Sequence, residues 1–253
     1  MPTAPHYVHI ALVALACLGC KRSQSEEPVR IAAASDLTLP FEEIGRAFEN
    51  ESRKKVSFSY GSTGLLAKQI GAGAPFDLFA AANVSAIDEV IAKNVCDGGS
   101  KLPYGRGRIV VWTKKGKVAP VTTLSDLLDT RFTRVSIANP EHAPYGQAAR
   151  EALLKAGVWA AVSARIVQGE NVRQALQFAE SGNVDAAIVA LSLVVMDTTN
   201  PWTLVDDALH APIAQTLVVC NGGKNKAGGN EFARYLSAEA AQTVMRRFGF
   251  SPP

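Results

Sequence analysis

The sequence predicts an α/β protein built from two lobes with a ligand cleft between them. From residue 29 onward, strand patterns alternate with helix patterns, which is the order typical of a parallel sheet covered by helices. Four strand-to-helix junctions carry small, donor-rich residues, two in each proposed lobe. The 253 residues, 47% hydrophobic and 19% charged, suit one large globular domain or two lobes.

The first 20 residues indicate an export signal. Residues 8–19 form an apolar run that is too short to span a bilayer and has the size of a signal-peptide core. The run ends at Leu18-Gly19-Cys20, which resembles a bacterial lipobox with Cys20 as the lipidated residue. Cys17 as the lipid site and plain secretion are the alternatives. We expect a periplasmic protein anchored to the membrane through Cys20, with residues 21–28 as a linker.

The first proposed lobe comprises residues 28–106 plus 215–253. Its early strands are predicted at 29–34, 55–60 and 77–82, each followed by a helical repeat of apolar residues. The first strand leads into Ser35-Asp36 and the second into Gly61-Ser62-Thr63-Gly64. The end of the chain supplies the remaining elements, which are a returning strand at 215–220, a surface loop at 222–229 and two terminal helices.

The second proposed lobe comprises residues 107–214. Strands are predicted at 108–113, 134–138, 164–167 and 185–190. Its two donor-rich junctions are Tyr145-Gly146, which opens a helix ended by Gly157, and Asn171-Val172. A short helix at Leu124, Leu127 and Leu128 is expected to be capped by Ser125.

The four junctions together predict a site for a small oxyanion. The first N–H groups of a helix have no intrahelical partner and lie at the positive end of its dipole. Ligands of open α/β sheets bind at the carboxyl ends of the strands, where such junctions converge. Neutral donors suit a fully deprotonated dianion, because they enclose it without leaving unpaired acceptors. The candidate ligand-binding residues are Ser35, Asp36, Ser62, Thr63, Tyr145 and Val172.

Other functional classes find little support in the sequence. The net charge of +3 without a dense basic run argues against nucleic-acid binding. After export, His142, His210 and two cysteines would remain, which is a poor set for a zinc site, and His142 is most simply a loop residue. No nucleophile elbow or dinucleotide fingerprint is present, so we predict neither an enzyme nor a resident cofactor. A ligand-sensing regulator is disfavoured because no DNA-binding helix pair precedes Val29.

Several segments, taken in order, resemble the periplasmic molybdate-binding proteins of ABC transporters, and the similarity covers essentially the whole mature chain. The segments are Ala32-Ala33-Ala34-Ser35, Phe58-Ser59-Tyr60-Gly61-Ser62-Thr63-Gly64, Gly73-Ala74-Pro75-Phe76-Asp77-Leu78-Phe79, Asn139-Pro140-Glu141-His142-Ala143-Pro144-Tyr145-Gly146, Glu170-Asn171-Val172-Arg173 and Arg247-Phe248-Gly249-Phe250.

The resemblance implies a type II periplasmic-binding-protein fold whose lobes close on molybdate or tungstate. It also implies a monomer that delivers the anion to a membrane permease. Ser35 and Thr63 would contribute hydroxyl and backbone donors, and Tyr145 and Val172 would contribute mainly backbone N–H groups. Thr63 stands where the family commonly has Ser. Ala190 stands where many members place a ligand-binding Tyr, so Tyr145 or Ser192 compensates or the affinity is lower.

Three questions stay open at the level of sequence. A phosphate or sulfate receptor of the same architecture is the main alternative, because Asp36 could accept the proton of hydrogen phosphate. We expect Asp36 instead to point away from the ligand as a helix cap. Cys96 and Cys220 either form a disulfide or remain two buried thiols. A hinge is expected near Gly105 and Ala214.

Overall fold

The computed structural model describes Met1 and residues 27 to 253. The predicted export signal with Cys17 and Cys20 lies outside the described residues, as does most of the predicted linker. The described part contains ten strands, numbered in chain order: β1 (Val29–Ala34), β2 (Val56–Gly61), β3 (Leu78–Ala81), β4 (Cys96–Gly107), β5 (Ile109–Thr113), β6 (Val135–Ala138), β7 (Ile166–Gly169), β8 (Ala186–Ala190), β9 (Trp202–Leu204) and β10 (Ile213–Cys220).

Eight helices accompany these strands in the described part of the chain. They are α1 (Thr38–Ser52), α2 (Thr63–Gly71), α3 (Val84–Ala92), α4 (Pro144–Lys155), α5 (Trp159–Val162), α6 (Val172–Glu180), α7 (Lys226–Ser237) and α8 (Glu239–Arg247). Short 3₁₀ turns lie between some of them, and the turn at Ser35–Leu37 leads directly from β1 into α1.

The strands form two five-stranded sheets, one in each lobe of the predicted α/β architecture. The first sheet has the order β2-β1-β3-β10-β4, and the second has the order β7-β6-β8-β5-β9. β1, β2 and β3 are mutually parallel, as are β6, β7 and β8, in agreement with the alternating pattern of the sequence. Each sheet also contains antiparallel pairs, which the alternating pattern did not predict. β10 is antiparallel to β3 and β4, and β5 is antiparallel to β8 and β9.

An aromatic cluster fixes α1 on the first sheet. Phe41 and Phe48 are buried in α1, and their rings lie 5.8 Å and 5.3 Å from the ring of Phe232 in α7. Phe58 of β2 lies 5.8 Å from Phe41. Offset and edge-on rings at these separations attract one another in addition to the apolar area that they bury. The cluster therefore anchors the helix that follows the Ser35–Leu37 turn.

Three local predictions are corrected by the structure. The proposed loop at 222–229 ends early because α7 starts at Lys226, where Asn225 caps it by accepting a hydrogen bond from Gly228 N. Gly229 is then required by packing, since a Cβ there would lie 2.8 Å from the carbonyl oxygen of Asp77. The 3₁₀ turn at Leu124–Leu128 is capped by Thr123 with Asp126, not by Ser125.

The third correction concerns β4, a strand that the sequence analysis did not predict. The strand runs over Cys96–Gly107 and pairs with β10 along its length through two register shifts. Gly98, Gly99 and Pro103 obscured this strand because glycine and proline are poor strand residues. The irregular pairing with β10 accommodates them.

Cys96 and Cys220 form a disulfide, which decides between the two alternatives for the thiols. They are partners at one end of the β4–β10 pair, whose other end pairs Ile213 with Gly107. The bridge closes a loop of sequence separation 124 that contains the whole second sheet. In the described part of the chain, every helix is too short or too polar to span a bilayer.

Candidate functional site

One small cavity lies where the loops after the parallel strands of both sheets meet. Its volume is about 10 Å³, room for about one water-sized centre. Pockets for drug-sized ligands are larger, roughly 300–1,000 Å³, so the size of this one suits a single compact solute. The residues around it include all six candidates from the sequence: Ala34, Ser35, Asp36, Gly61, Ser62, Thr63, Ala82, Ala143, Pro144, Tyr145 and Val172.

Three helices begin at the cavity and direct unpaired N–H groups toward it. α2 begins at Thr63, α4 at Pro144 and α6 at Val172. In the part of the chain that the structure describes, the N–H groups of Thr63, Tyr145 and Val172 have no hydrogen-bond partner. Pro144 at the first position of α4 has no N–H, which makes Tyr145 the first donor of that helix. A negative solute can replace the missing partners.

Local contacts hold these helix ends in place. The Asn171 side chain caps α6 by accepting from Gln174 N at 3.0 Å. Ser136 of β6 is fully buried and donates its hydroxyl to the Ala175 carbonyl at 2.7 Å, which ties the first turn of α6 to the second sheet. Val172 is thereby positioned from both sides.

The hydroxyl groups of Thr63 and Ser35 remain available to a solute. Thr63 is buried, and its Oγ1 accepts from Ala82 N at 3.1 Å, so its hydrogen is still free to donate. Among residues 27 to 253, the Ser35 hydroxyl has no hydrogen-bond partner. The cavity therefore offers two hydroxyl donors in addition to the three N–H groups.

Ser62 lines the cavity but is engaged across the cleft. Its hydroxyl donates to the carbonyl oxygen of His142 at 2.6 Å and lies 2.7 Å from His142 Nδ1, which must then carry a hydrogen and donate to Ser62 Oγ. The same carbonyl accepts from Gly64 N at 2.9 Å. Because His142 precedes α4 in the second lobe, these contacts join the lobes directly.

His142 is thus more than the simple loop residue that the sequence suggested. The only available signal was its position in the turn just before the Tyr145-Gly146 junction. Sequence patterns do not show which residue of one lobe faces which residue of the other, so this contact could not be predicted.

The expectation that Asp36 points away as a cap is wrong. Asp36 is fully buried, and its Oδ2 accepts hydrogen bonds from the Tyr145 hydroxyl at 2.9 Å and from Gln215 Nε2 at 2.8 Å. The Tyr104 hydroxyl donates to Gln215 Oε1 at 3.0 Å. Burial raises the pKa of Asp36 from 3.8 to about 7, although the hydrogen bonds from Tyr145 and Gln215 act in the opposite direction. Burial also holds the pKa values of Tyr104 and Tyr145 well above their usual range.

Neither hydroxyl that the sequence suggested as a replacement for a tyrosine at position 190 is free. The Tyr145 hydroxyl donates to Asp36 Oδ2. The Ser192 hydroxyl donates to the Asp36 carbonyl oxygen at 2.8 Å. Both groups join the lobes instead, and Tyr145 offers the cavity its N–H group.

The charge of the lining residues restricts what the cavity can hold. Of the residues that the structure describes, no lysine, arginine or histidine lines the cavity, and Asp36 is the one carboxyl group there. Within residues 27 to 253, no group of three or more His, Cys, Asp or Glu side chains is arranged to bind a metal ion. Neutral donors around a small closed space suit a compact oxyanion. Two α/β lobes that meet on such a cavity define a receptor that captures a small solute between its lobes.

Comparison with known proteins assigns the family. The family model of bacterial extracellular solute-binding proteins matches residues 29–251, and the chain belongs to this family. It is 34% identical over 238 residues to the molybdate-binding protein ModA of Azotobacter vinelandii, with 92% of each chain covered. It is 30% identical over 251 residues to ModA of Rhodobacter capsulatus, with 99% of each covered.

A solved structure has the same architecture. The periplasmic molybdate-binding protein of Azotobacter vinelandii superposes with a TM-score of 0.83 at 25% identity, covering 89% of this chain and 99% of that one. The match confirms the type II periplasmic-binding-protein fold. These relatives are solute-binding proteins, so the chain is a binding protein and not an enzyme.

Proposed function

We propose that the protein captures molybdate or tungstate in its interlobe cavity and delivers the anion to the membrane permease of an ABC transporter. One observation carries the proposal: donors from both lobes meet on one small cavity, and no cationic side chain of the described residues lines it. The names of the Azotobacter and Rhodobacter relatives support molybdate as the solute.

In this proposal the anion is held through its oxygen atoms. Ser35 and Thr63 donate their hydroxyl hydrogens, and Thr63, Tyr145 and Val172 donate backbone N–H groups. Hydrogen bonds to a charged acceptor are stronger than those between neutral groups. All contacts are made to oxygen, so no side chain is a ligand of the metal atom itself.

Capture proceeds by closure of the two lobes about a hinge near Gly105 and Ala214. These residues lie close together where β4 pairs with β10, since Gln215 is the partner of Gly105 and Ala214 that of Arg106. The lobes that move are residues 28–106 plus 215–253 and residues 107–214. The described structure corresponds to the closed form, sealed by the contacts of Gly64 and Ser62 with His142.

We further propose that the protein works as a monomer in the periplasm, anchored by a lipid on Cys20. The Bacillus subtilis protein YvgL, named as an ABC transporter substrate-binding lipoprotein, is 32% identical over 248 residues with 92% of each chain covered, and it supports an anchored form. The intact mass of the protein made in a bacterial host is expected to show diacylglycerol on Cys20 and to lose it in Cys20→Ala. Lipid on Cys17, or cleavage without lipid, would contradict the anchor at Cys20.

Sulfate or phosphate is the alternative solute. The fold alone does not separate them, because the sulfate-binding protein SubI of Mycobacterium tuberculosis superposes with a TM-score of 0.74 at 16% identity. Asp36 beside the cavity would favour phosphate if it accepted a proton from the ligand.

Thermal unfolding in the presence of single anions tests the proposal. A solute that binds only the folded state stabilises it by mass action, about 2.7 kcal/mol at a hundredfold excess over Kd. We expect molybdate and tungstate to raise the unfolding midpoint of the mature protein, and sulfate and phosphate to leave it almost unchanged. A midpoint raised by phosphate alone would favour the alternative, and no shift with any of the four would contradict the oxyanion assignment.

A further inference from the structure

The carboxyl group of Asp36 has a feature that anion capture by neutral donors does not explain. Its Oδ2 is satisfied by Tyr145 and Gln215, but its Oδ1 is buried and has no hydrogen-bond partner in the described part of the chain. The residue lines the cavity and is fully shielded from solvent. An orphaned carboxylate oxygen in such a place is costly, and a group that completes its hydrogen bonding is to be expected.

Among residues 27 to 253, no lysine, arginine or histidine acts on the pKa of the Asp36 carboxyl group. The groups facing this carboxyl are the Tyr145 hydroxyl from α4, the Tyr104 hydroxyl from β4, Gln215 from β10 and the backbone N–H of Asp36 itself. The Ser192 hydroxyl donates to the Asp36 carbonyl oxygen. Three titratable groups on the elements packed around Asp36 are engaged elsewhere: Arg173 of α6 pairs with Glu180, the Tyr60 hydroxyl of β2 donates to Glu42 of α1, and His142 bonds to Ser62.

A dianion in the cavity sharpens this conflict. A buried carboxylate without a cation is already unfavourable, and a second negative charge nearby makes it more so. A protonated carboxyl removes the repulsion and turns an orphaned acceptor into a donor, the type of group that the rest of the cavity supplies.

We propose that Asp36 is neutral whenever the cavity holds its dianion, with the proton on Oδ1, so that anion capture at alkaline pH takes up one proton from solution. Oδ2 remains the acceptor for Tyr145 and Gln215, and the Oδ1 hydrogen is donated to the anion. This inference rests on the proposed function, because it needs a dianion in the cavity. It makes Asp36 a determinant of which anions bind, since the site then suits solutes that bring no proton of their own.

The pH dependence follows from the difference in the ionisation of Asp36 between the open, empty protein and the closed, loaded one. Burial in the closed cavity raises the pKa of Asp36 to about 7, and the bound dianion raises the pKa further. In the open form the carboxyl group loses the burial that raises its pKa, so Asp36 is mostly charged there at pH 8. Kd therefore rises with pH above the pKa of the open form, by about tenfold for each pH unit. We expect Kd to be at least about tenfold higher at pH 8 than at pH 6.

Isothermal titration of the mature protein with molybdate tests the inference. At each pH the titration is run in two buffers of different ionisation enthalpy, which gives the number of protons taken up per anion. Uptake close to one proton is expected at about pH 8, and it should fall toward none as the pH is lowered through the pKa of Asp36 in the empty protein. Asp36→Asn keeps an acceptor for Tyr145 and Gln215 and places an N–H group where the proton would be. Proton uptake by this variant should vanish, and its Kd for molybdate should be equal at about pH 6 and about pH 8.

A matched variant and a direct readout complete the experiment. Asp88→Asn removes an exposed carboxylate of α3 that pairs with Lys101, and it should keep the wild-type proton uptake and pH dependence. Infrared difference spectra report the protonation of the carboxyl group directly. Adding molybdate at pH 8 should produce the C=O band of a protonated carboxylic acid, and this band should be absent in Asp36→Asn.

Different results overturn different claims. Molybdate binding at pH 8 without proton uptake, with no new carboxylic acid band, would overturn the role of Asp36 and leave the proposed function intact. Proton uptake that persists in Asp36→Asn would also overturn the role of Asp36 and leave the proposed function intact. Failure to bind molybdate at any pH from about 6 to about 8 would overturn the proposed function and this inference with it. Phosphate binding as tightly at pH 8 as at pH 6, without uptake, would place the proton on the ligand instead.

Discussion

Gly64→Ala is expected to weaken molybdate binding by roughly 100-fold. A Cβ on Gly64 would lie 2.8 Å from the His142 carbonyl oxygen and 3.0 Å from its Cβ, so the lobes could not close to their present distance. Closure would lose the hydrogen bond from Gly64 N–H and strain the Ser62 hydrogen bond to the same carbonyl oxygen, and each of these bonds contributes about 1 kcal/mol. The donors around the anion would also be misplaced, which weakens binding further. Calorimetric titration measures the change in Kd.

The open, empty protein should tolerate this substitution. Alanine is a better helix residue than glycine, so the stability of the empty variant in urea should not fall. Gly71→Ala at the far end of the same helix is the matched control, since its new Cβ meets only the flexible end of Lys93 at 3.1 Å. The control should bind like the wild type. Wild-type affinity in Gly64→Ala would contradict the proposal that closure onto His142 accompanies capture.

Thr63→Val is expected to weaken molybdate binding by about 10-fold to 100-fold, because a hydrogen bond to a charged group contributes about 1.5–3 kcal/mol. Valine has the shape of threonine but lacks the hydroxyl hydrogen that Thr63 leaves free while Oγ1 accepts from Ala82 N. The same change leaves the Ala82 N–H unpaired in a buried position, so the empty protein should also lose about 1–3 kcal/mol of stability. Titration gives the first effect and urea unfolding the second.

Thr63→Ser separates the hydroxyl from the rest of the side chain. It restores both hydrogen bonds, so its affinity should lie within a few-fold of the wild type although it lacks a methyl group. If Thr63→Val bound molybdate as tightly as Thr63→Ser, the Thr63 hydroxyl would not contact the anion.

Much of the fold could be predicted because each lobe repeats a local pattern. Apolar strands followed by helical repeats identified β1, β2, β3, β6 and β8 and the helix starts at Thr63 and Val172. Such features depend on residues close together in the chain, which periodicity and capping preferences describe well. The six candidate residues come together for the same reason, since each lies at a junction of this repeating unit.

The predictions that failed concern contacts between distant parts of the chain. β4 was hidden by its glycines and proline and is defined by pairing with β10, more than a hundred residues away. The first turns of α7 contain Gly229, whose close approach to the Asp77 backbone no local pattern shows. Asp36 resembles a cap in sequence because nothing local shows that Tyr145 and Gln215 converge on it. These residues are fixed by the assembled lobes.

The most direct measurement is an anomalous difference map from crystals of the protein grown with molybdate, recorded near the molybdenum absorption edge. The account predicts one strong peak in the cavity. Its oxygens should lie within hydrogen-bonding distance of the Ser35 and Thr63 hydroxyls and of the N–H groups of Tyr145 and Val172. An empty cavity in such crystals, or a peak held by surface lysines or arginines elsewhere, would contradict the claim that neutral donors of both lobes capture the anion.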